Sequence, residues 1–159
     1  MDRPYDLIAE GLEPHEDTMD AMRAVVDAAW PVLERAGVTW LGFYVDRPGQ
    51  PEHARLIHGP TCGKPACSPI GMHGACGQAL TSSRTMVISD VKMLGAGYVA
   101  CDPRDRAELV VPLRDARGRP FAVLDLDSHD VGSFDESDAI GMHAVLVAAG
   151  LQPADATVG

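Results

Sequence analysis

Four cysteines and a set of closely spaced carboxylates are the residues whose types and spacing lend themselves to chemistry here. The thiols are Cys62, Cys67, Cys76 and Cys101. Four cysteines allow three disulfide pairings in an exported protein. The opening stretch, Met1 to Pro14, carries Asp2, Asp6 and Glu10 and has neither a basic end nor an apolar run, so it does not read as a signal peptide. Free thiols in the reducing cytoplasm are therefore expected. A free cysteine often does nothing but pack. Cys67, Cys76 and Cys101, however, fall in Gly- and Pro-rich segments or at a helix start, and a thiol at a helix N-terminus ionises more easily. Cys76 fits that description and is expected to be an activated thiol. No C-x₂-C pair exists and the intervals match no common zinc template, so neither a metal nor another cofactor is expected. The absence of H-x-E with P-C-x-x-C excludes a nucleobase deaminase. Gly95-Ala96-Gly97-Tyr98-Val99-Ala100 matches a dinucleotide fingerprint by letters, but Cys101-Asp102-Pro103 supplies a turn where that motif needs a helix.

The carboxylates are Glu108, Asp125 and Asp127. Side chains alternate along a strand, so Asp125 and Asp127 share a face with Val123, and Glu108 shares one with Val110. A four-residue turn at 115–118 would set Glu108 opposite Asp125; a two-residue turn at Arg117-Gly118 would set it opposite Asp127. Either register gathers three carboxylates on one face, whereas a three-residue loop would break the match. Like charges facing each other across a sheet are destabilising. Such a face is either solvated and neutralised by Arg104 or Arg106, or it holds a proton, or it binds a cation.

These groups need a frame. Met19, Met22, Val25, Val26, Ala29, Val32 and Leu33 have helical spacing, with Asp17 or Thr18 as cap, Pro31 as a kink and Gly37 as the end. Val38 to Val45 reads as a strand rich in aromatic and β-branched residues, and a second follows around Ala54 to His58. Residues 59–77 read as an ordered loop, Gly74 to Thr81 as a short helix, Met86 to Ile88 as a brief strand, and Asp90 to Pro103 as a second loop. Ala107 to Arg114 and Pro120 to Ser128 form a hairpin. The last helix starts at Ser133-Phe134-Asp135-Glu136, where Ser133 and Glu136 have capping-box spacing, and runs to about Ala149. The tail from Gln152 is expected to fray. Hairpins outnumber helical crossovers, so the sheet should be mainly antiparallel, with about five to six strands flanked by helices, in the α/β (α+β) class.

The 159 residues are the size of one domain, with a core expected over about 17–150. Asp and Glu number 23 against 13 Lys and Arg, a net charge of −10, which argues against nucleic acid and anionic membranes as partners. No run approaches the roughly 18–20 apolar residues of a membrane helix.

In order along the chain stand Trp40-x-Gly42-Phe43-Tyr44, Gly59-Pro60, Gly63-Lys64-x-Ala66-Cys67, Gly74-x-Cys76-Gly77-x-Ala79, Asp90-Val91, Ala100-Cys101-Asp102, Glu108-x-Val110-x-Pro112-Leu113 and Val123-Leu124-Asp125-x-Asp127-Ser128. Together they resemble the free methionine-(R)-sulfoxide reductase family of GAF domains over roughly Ala24 to Ala149. The resemblance implies a single GAF-like domain and thiol-dependent reduction of free methionine sulfoxide. It implies that Cys101 attacks the sulfoxide and becomes a sulfenic acid, that Cys67 resolves it as a disulfide, and that Cys76 is an auxiliary partner. Glu108, Asp125 and Asp127 would hold the substrate ammonium and protonate its oxygen, with Trp40 and Tyr44 packed on its methyl–sulfur end. Thioredoxin as reductant and a homodimer are implied in the same way. The chain departs from the family at Ala96-Gly97-Tyr98-Val99, where Gly-His-Ile is usual, at Lys92, and at Cys62. A GAF-type sensing module without turnover is the alternative.

Overall fold

Strict alternation along the two longest strands creates two apolar surfaces, and the rest of the chain divides between them. In the computed structural model, which describes residues 2–63, 66–98 and 101–154, the elements in order are α1 (Tyr5–Glu10), α2 (Thr18–Glu34), β1 (Trp40–Asp46), β2 (Leu56–Gly63), α3 (Ala75–Ser82), β3 (Met86–Ile88), β4 (Ala107–Arg114), β5 (Pro120–Ser128) and α4 (Glu136–Ala148), with 3₁₀ turns at Glu52–Ala54 and Val91–Gly97. The strands form one antiparallel sheet in the order β2-β1-β5-β4-β3. Leu41, Phe43, Leu109, Val111, Leu113, Leu124 and Leu126 point to the side covered by α1, α2 and α4 and form the main core. Trp40, Tyr44, Val110 and Val123 point the other way, into a smaller apolar cluster completed by Ala75, Cys76, Ala79 and Leu80 of α3. Among the described residues no helix is long and apolar enough to cross a membrane.

The β4–β5 connection reaches the expected pairing by an unexpected path. The Asp115 amide donates to the Arg119 carbonyl at 2.9 Å, and Gly118 adopts φ +77°, so Ala116-Arg117-Gly118 is a three-residue loop with glycine at its left-handed position. That loop alone would shift the strands by one residue. The pairing then moves from Arg114↔Pro120 to Leu113↔Ala122, leaving Phe121 as the extra residue of a bulge. The bulge restores the parity, and Glu108 ends opposite Asp127 with Val110 opposite Asp125.

Other elements differ in extent. β2 runs through Gly59 and Pro60 to Gly63, in a stretch expected to be loop, because an edge strand tolerates proline. α2 is capped by Asp17, whose carboxylate accepts from the Asp20 amide at 2.9 Å, and continues unbroken past Pro31. The capping box of α4 is formed by Asp135 and Asp138, not by Ser133 and Glu136. Gln152 is buried, donating to the Pro112 carbonyl at 2.8 Å and accepting from the Arg114 amide beside the bulge at 3.0 Å, so the chain is still anchored at the point where fraying was expected to begin. The rest of the expected tail beyond residue 154 lies outside the described residues.

The N-terminus belongs to the core as well. α1 lies against α4, and Asp138 accepts from Arg3 Nη1 at 2.7 Å and from the Tyr5 hydroxyl at 2.6 Å, both on Oδ1. The Arg3 guanidinium also stacks 4.9 Å above the Phe134 ring. Since a hydrogen bond to a buried charge contributes about 1.5–3 kcal/mol, Tyr5→Phe should lower unfolding stability by that amount in a urea titration, without a change of fold.

Candidate functional site

The face of the sheet under α3 carries the chemistry. On it Trp40 lies opposite Asp127, Gly42 opposite Asp125 and Tyr44 opposite Val123 across β1–β5, while Glu108 of β4 lies opposite Asp127 from the other side. Gly42 is required for space, since a Cβ there would come within 2.5 Å of the Trp40 ring. Glu108, Asp125 and Asp127 are 5–8 % exposed. Glu108 Oε2 and Asp125 Oδ1 are fully buried without a hydrogen-bond partner. Burial raises the pKa of all three above the ordinary carboxylate range, and at Asp125 and Asp127 the neighbouring carboxylates push it further. The solvated arrangement left open by the alternation is therefore not the one adopted. Arg106 pairs instead with Asp90 at 3.4 Å and Arg104 with Asp102 at 2.8 Å.

A cavity of about 310 Å³ opens over this face. Its floor is formed by Glu108, Asp125, Asp127 and Tyr44, and its walls by Cys67, Cys76, Tyr98, Cys101 and Asp105, with His53 and His73 among the other lining residues. Cys67 and Cys101 are joined in a disulfide with Cα atoms 5.5 Å apart, the pairing that the family resemblance implied. Free thiols remain at Cys62 and Cys76. Cys62 sits on β2 opposite Leu41 and packs against the main core on the other side of the sheet.

Two aromatic residues were expected to meet a substrate, and they differ in position. Tyr44 lines the cavity, and its hydroxyl donates to the Cys67 carbonyl at 2.7 Å. That hydroxyl is also 3.2 Å from His58 Nε2, so with its proton committed to Cys67 it accepts from the imidazole. Burial lowers the His58 pKa, which keeps the ring neutral. Trp40 instead lines a narrow adjoining cavity with Ala66, Cys101, Asp102, Asp105 and Asp127, its ring 5.7 Å from that of Tyr44.

Cys76 requires a correction. It stands in the first turn of α3, as expected, but its pKa is raised, not lowered. Complete burial disfavours the thiolate, and the charges of Asp125, Glu108 and Asp127 add to that effect. One helix terminus contributes only about 0.3–1 kcal/mol in the opposite direction, so the buried carboxylates prevail. In the ligand-free site Cys76 is a proton-holding thiol, not an activated nucleophile.

Asp105 is the residue that sequence patterning missed. It is 7 % exposed and lines both cavities. The available signal was Asp102-Pro103-Arg104-Asp105 directly after Cys101, with Asp first and Pro second as in a β-turn. The Asp105 amide does donate to the Asp102 carbonyl at 3.1 Å. Among the described residues, Cys76, Glu108 and Asp125 in the cavity bring side-chain heteroatoms within 4.8 Å of one another, as do Asp102, Asp105 and His129 beside it. The first group suits an ammonium, which would satisfy the orphaned carboxylate oxygens.

A disulfide at the mouth of a buried carboxylate cluster suits two-electron thiol chemistry on a small cationic molecule. Comparison with known proteins gives a family and several relatives. A family model described as "GAF domain" matches residues 15–145. The chain is 37% identical to the free methionine-R-sulfoxide reductase of Saccharomyces cerevisiae over 64% of its own length and 55% of that protein's, so it spans little more than half of this relative. It is 36% identical to GAF domain-containing protein A of Dictyostelium discoideum over 81% of its own length and 77% of the relative's. The crystal structure of free methionine-R-sulfoxide reductase from Neisseria meningitidis in complex with its substrate is similar at a TM-score of 0.72 and 28% identity, covering 92% of this chain and 81% of that one.

Proposed function

The chain belongs to the GAF domain family, and we propose that it uses this scaffold to reduce free methionine-R-sulfoxide to methionine. The observation that carries this reading is the Cys67–Cys101 disulfide in the wall of a cavity floored by Glu108, Asp125 and Asp127. An amino acid brings an ammonium, which buried carboxylates can hold, and a sulfoxide oxygen, which a carboxyl kept protonated by its neighbours can protonate. Cys101 takes the oxygen and becomes a sulfenic acid as methionine leaves. Cys67 then displaces the hydroxyl as water and closes the disulfide, and a thioredoxin-like dithiol restores both thiols by exchange. The reading includes a reducing compartment, the cytoplasm, for that exchange and, from the family resemblance, a homodimer.

NADPH consumption in a coupled thioredoxin assay, with the two sulfoxide epimers supplied separately, tests the reading. Turnover with the R epimer alone is expected. No turnover with either epimer would remove the reductase reading and leave a GAF-type sensing module.

A further inference from the structure

The proposed reaction moves protons as well as oxygen, and the three carboxylates on the cavity floor serve the substrate end. A fourth carboxylate stands at the sulfur end. Cys101 leads directly into the turn Asp102-Pro103-Arg104-Asp105, closed by the Asp105 amide on the Asp102 carbonyl and by the Asp102 carboxylate on the Arg104 amide at 3.0 Å. Bonds from Arg104 Nε and Nη2 to the same carboxylate, at 3.0 and 2.8 Å, brace it further. The ends of such a turn lie within about 7 Å of each other, so Asp105 is held close to the chain at Cys101. Its side chain lines both cavities that Cys101 lines. Behind it, His129 Nε2 lies 3.2 Å from Asp102 Oδ2 and 3.8 Å from Asp105 Oδ1, hydrogen-bonded to the first and beyond hydrogen-bond range of the second.

Building on the reductase reading, we infer that Asp105 is the group that exchanges protons with Cys101. The Asp105 carboxylate accepts the Cys101 thiol proton as that sulfur takes the sulfoxide oxygen. The S–O bond to methionine breaks and one to Cys101 forms, so Cys101 loses two electrons and the sulfoxide gains them, while a floor carboxyl protonates the moving oxygen. When the Cys67 sulfur attacks Cys101, Asp105 gives its proton to the departing hydroxyl, which leaves as water. The Cys67 thiol proton returns to the floor carboxylate, closing the balance.

Facing Asp105 among the described residues are Asp102 and Arg104 on its own turn, Tyr98 ahead of that turn, Glu108 on β4, Asp127 on β5 and His129 after β5. Burial first, and Asp102 next, raise the Asp105 pKa to about 6, so it is ionised at neutral pH and yet returns a proton readily.

The test is the pH dependence of thiol loss in the pre-reduced protein during a single turnover, for the unaltered chain, Asp105→Asn and Asp105→Glu. Two oxidants are used in parallel: free methionine-R-sulfoxide, and hydrogen peroxide, which oxidises Cys101 to the same sulfenic acid with release of water. The unaltered rate should rise with pH around 6. Asp105→Asn should slow the neutral-pH step about 100-fold and move the rise to the range of a free thiol, about 8.5. Asp105→Glu should keep the rise in the acidic range. An unchanged profile in Asp105→Asn, or an equal loss at every pH with the rise still near 6, overturns the assignment. A protein inert to both sulfoxide epimers but showing these shifts with peroxide would lose the reductase reading and keep the role of Asp105.

Discussion

Cys101→Ser is expected to abolish the first turnover with free methionine-R-sulfoxide, whereas Cys67→Ser should release one methionine per chain and then stall. The two cysteines share one disulfide, yet the proposed chemistry treats them differently. Cys101 takes the oxygen, so nothing proceeds without it. Cys67 acts only on the sulfenic acid that follows, and its loss leaves that species stranded and open to trapping by a sulfenic-acid reagent. Cys76 does not substitute for Cys101, because burial and its carboxylate neighbours hold its proton in place. Methionine counted per chain in a single turnover, without reductant, separates the cases. Equal and complete loss in both variants would show that the two roles are wrongly assigned.

Asp127→Asn should weaken substrate use and strengthen the fold. If the substrate ammonium rests among the floor carboxylates, removing one charge from a buried pair costs about 2–5 kcal/mol. The substrate requirement then rises by a factor of roughly 30 or more, with a smaller change in the maximal rate. The ligand-free protein gains, because the same substitution relieves burial of a charge and its repulsion with Glu108 and Asp105. A gain in stability is therefore expected at neutral pH. The sign with pH follows from proton uptake. A carboxyl whose folded pKa lies above its unfolded value of about 4 binds more protons in the folded state, so the stability it contributes is present below pH 4 and is lost as pH rises. Asp90 and Asp102 act in the opposite sense, since hydrogen bonds to the Lys92 amide and to Arg104 respectively hold their pKa values down and their contribution is lost on acidification. Melting temperature followed from pH 5 to 8 should therefore fall in the parent chain and fall less in Asp127→Asn. Equal slopes together with unchanged kinetics would remove Asp127 from the site.

Local patterns in the sequence were reliable where local rules act alone. The bounds of β4 and β5 follow from alternation, and their carboxylates fall on one face as expected. Where a distant partner decides, the same rules failed. α1 has only six residues and little periodicity; it is held by Arg3 and Tyr5 reaching Asp138, more than 130 residues away. The activated thiol expected at Cys76 was a helix-terminus argument, defeated by charges on strands that sequence spacing does not place beside it. Asp105 escaped notice because the cavities that bury it are assembled from several loops and strands. The Cys67–Cys101 pairing was implied by family resemblance and not by the intervals between cysteines.

The Phe121 bulge has a consequence for how this chain can change. The loop Ala116-Arg117-Gly118 and the bulge are two odd offsets that sum to an even one, so chemistry at Glu108 depends on counting at the far end of its hairpin. Removing or adding one residue in that loop, with the bulge intact, would rotate β4 against β5 by one position and exchange oil for acid on both faces. Length changes there are tolerable only in pairs, or together with loss of the bulge, which makes a solvent-exposed turn one of the least editable parts of the molecule.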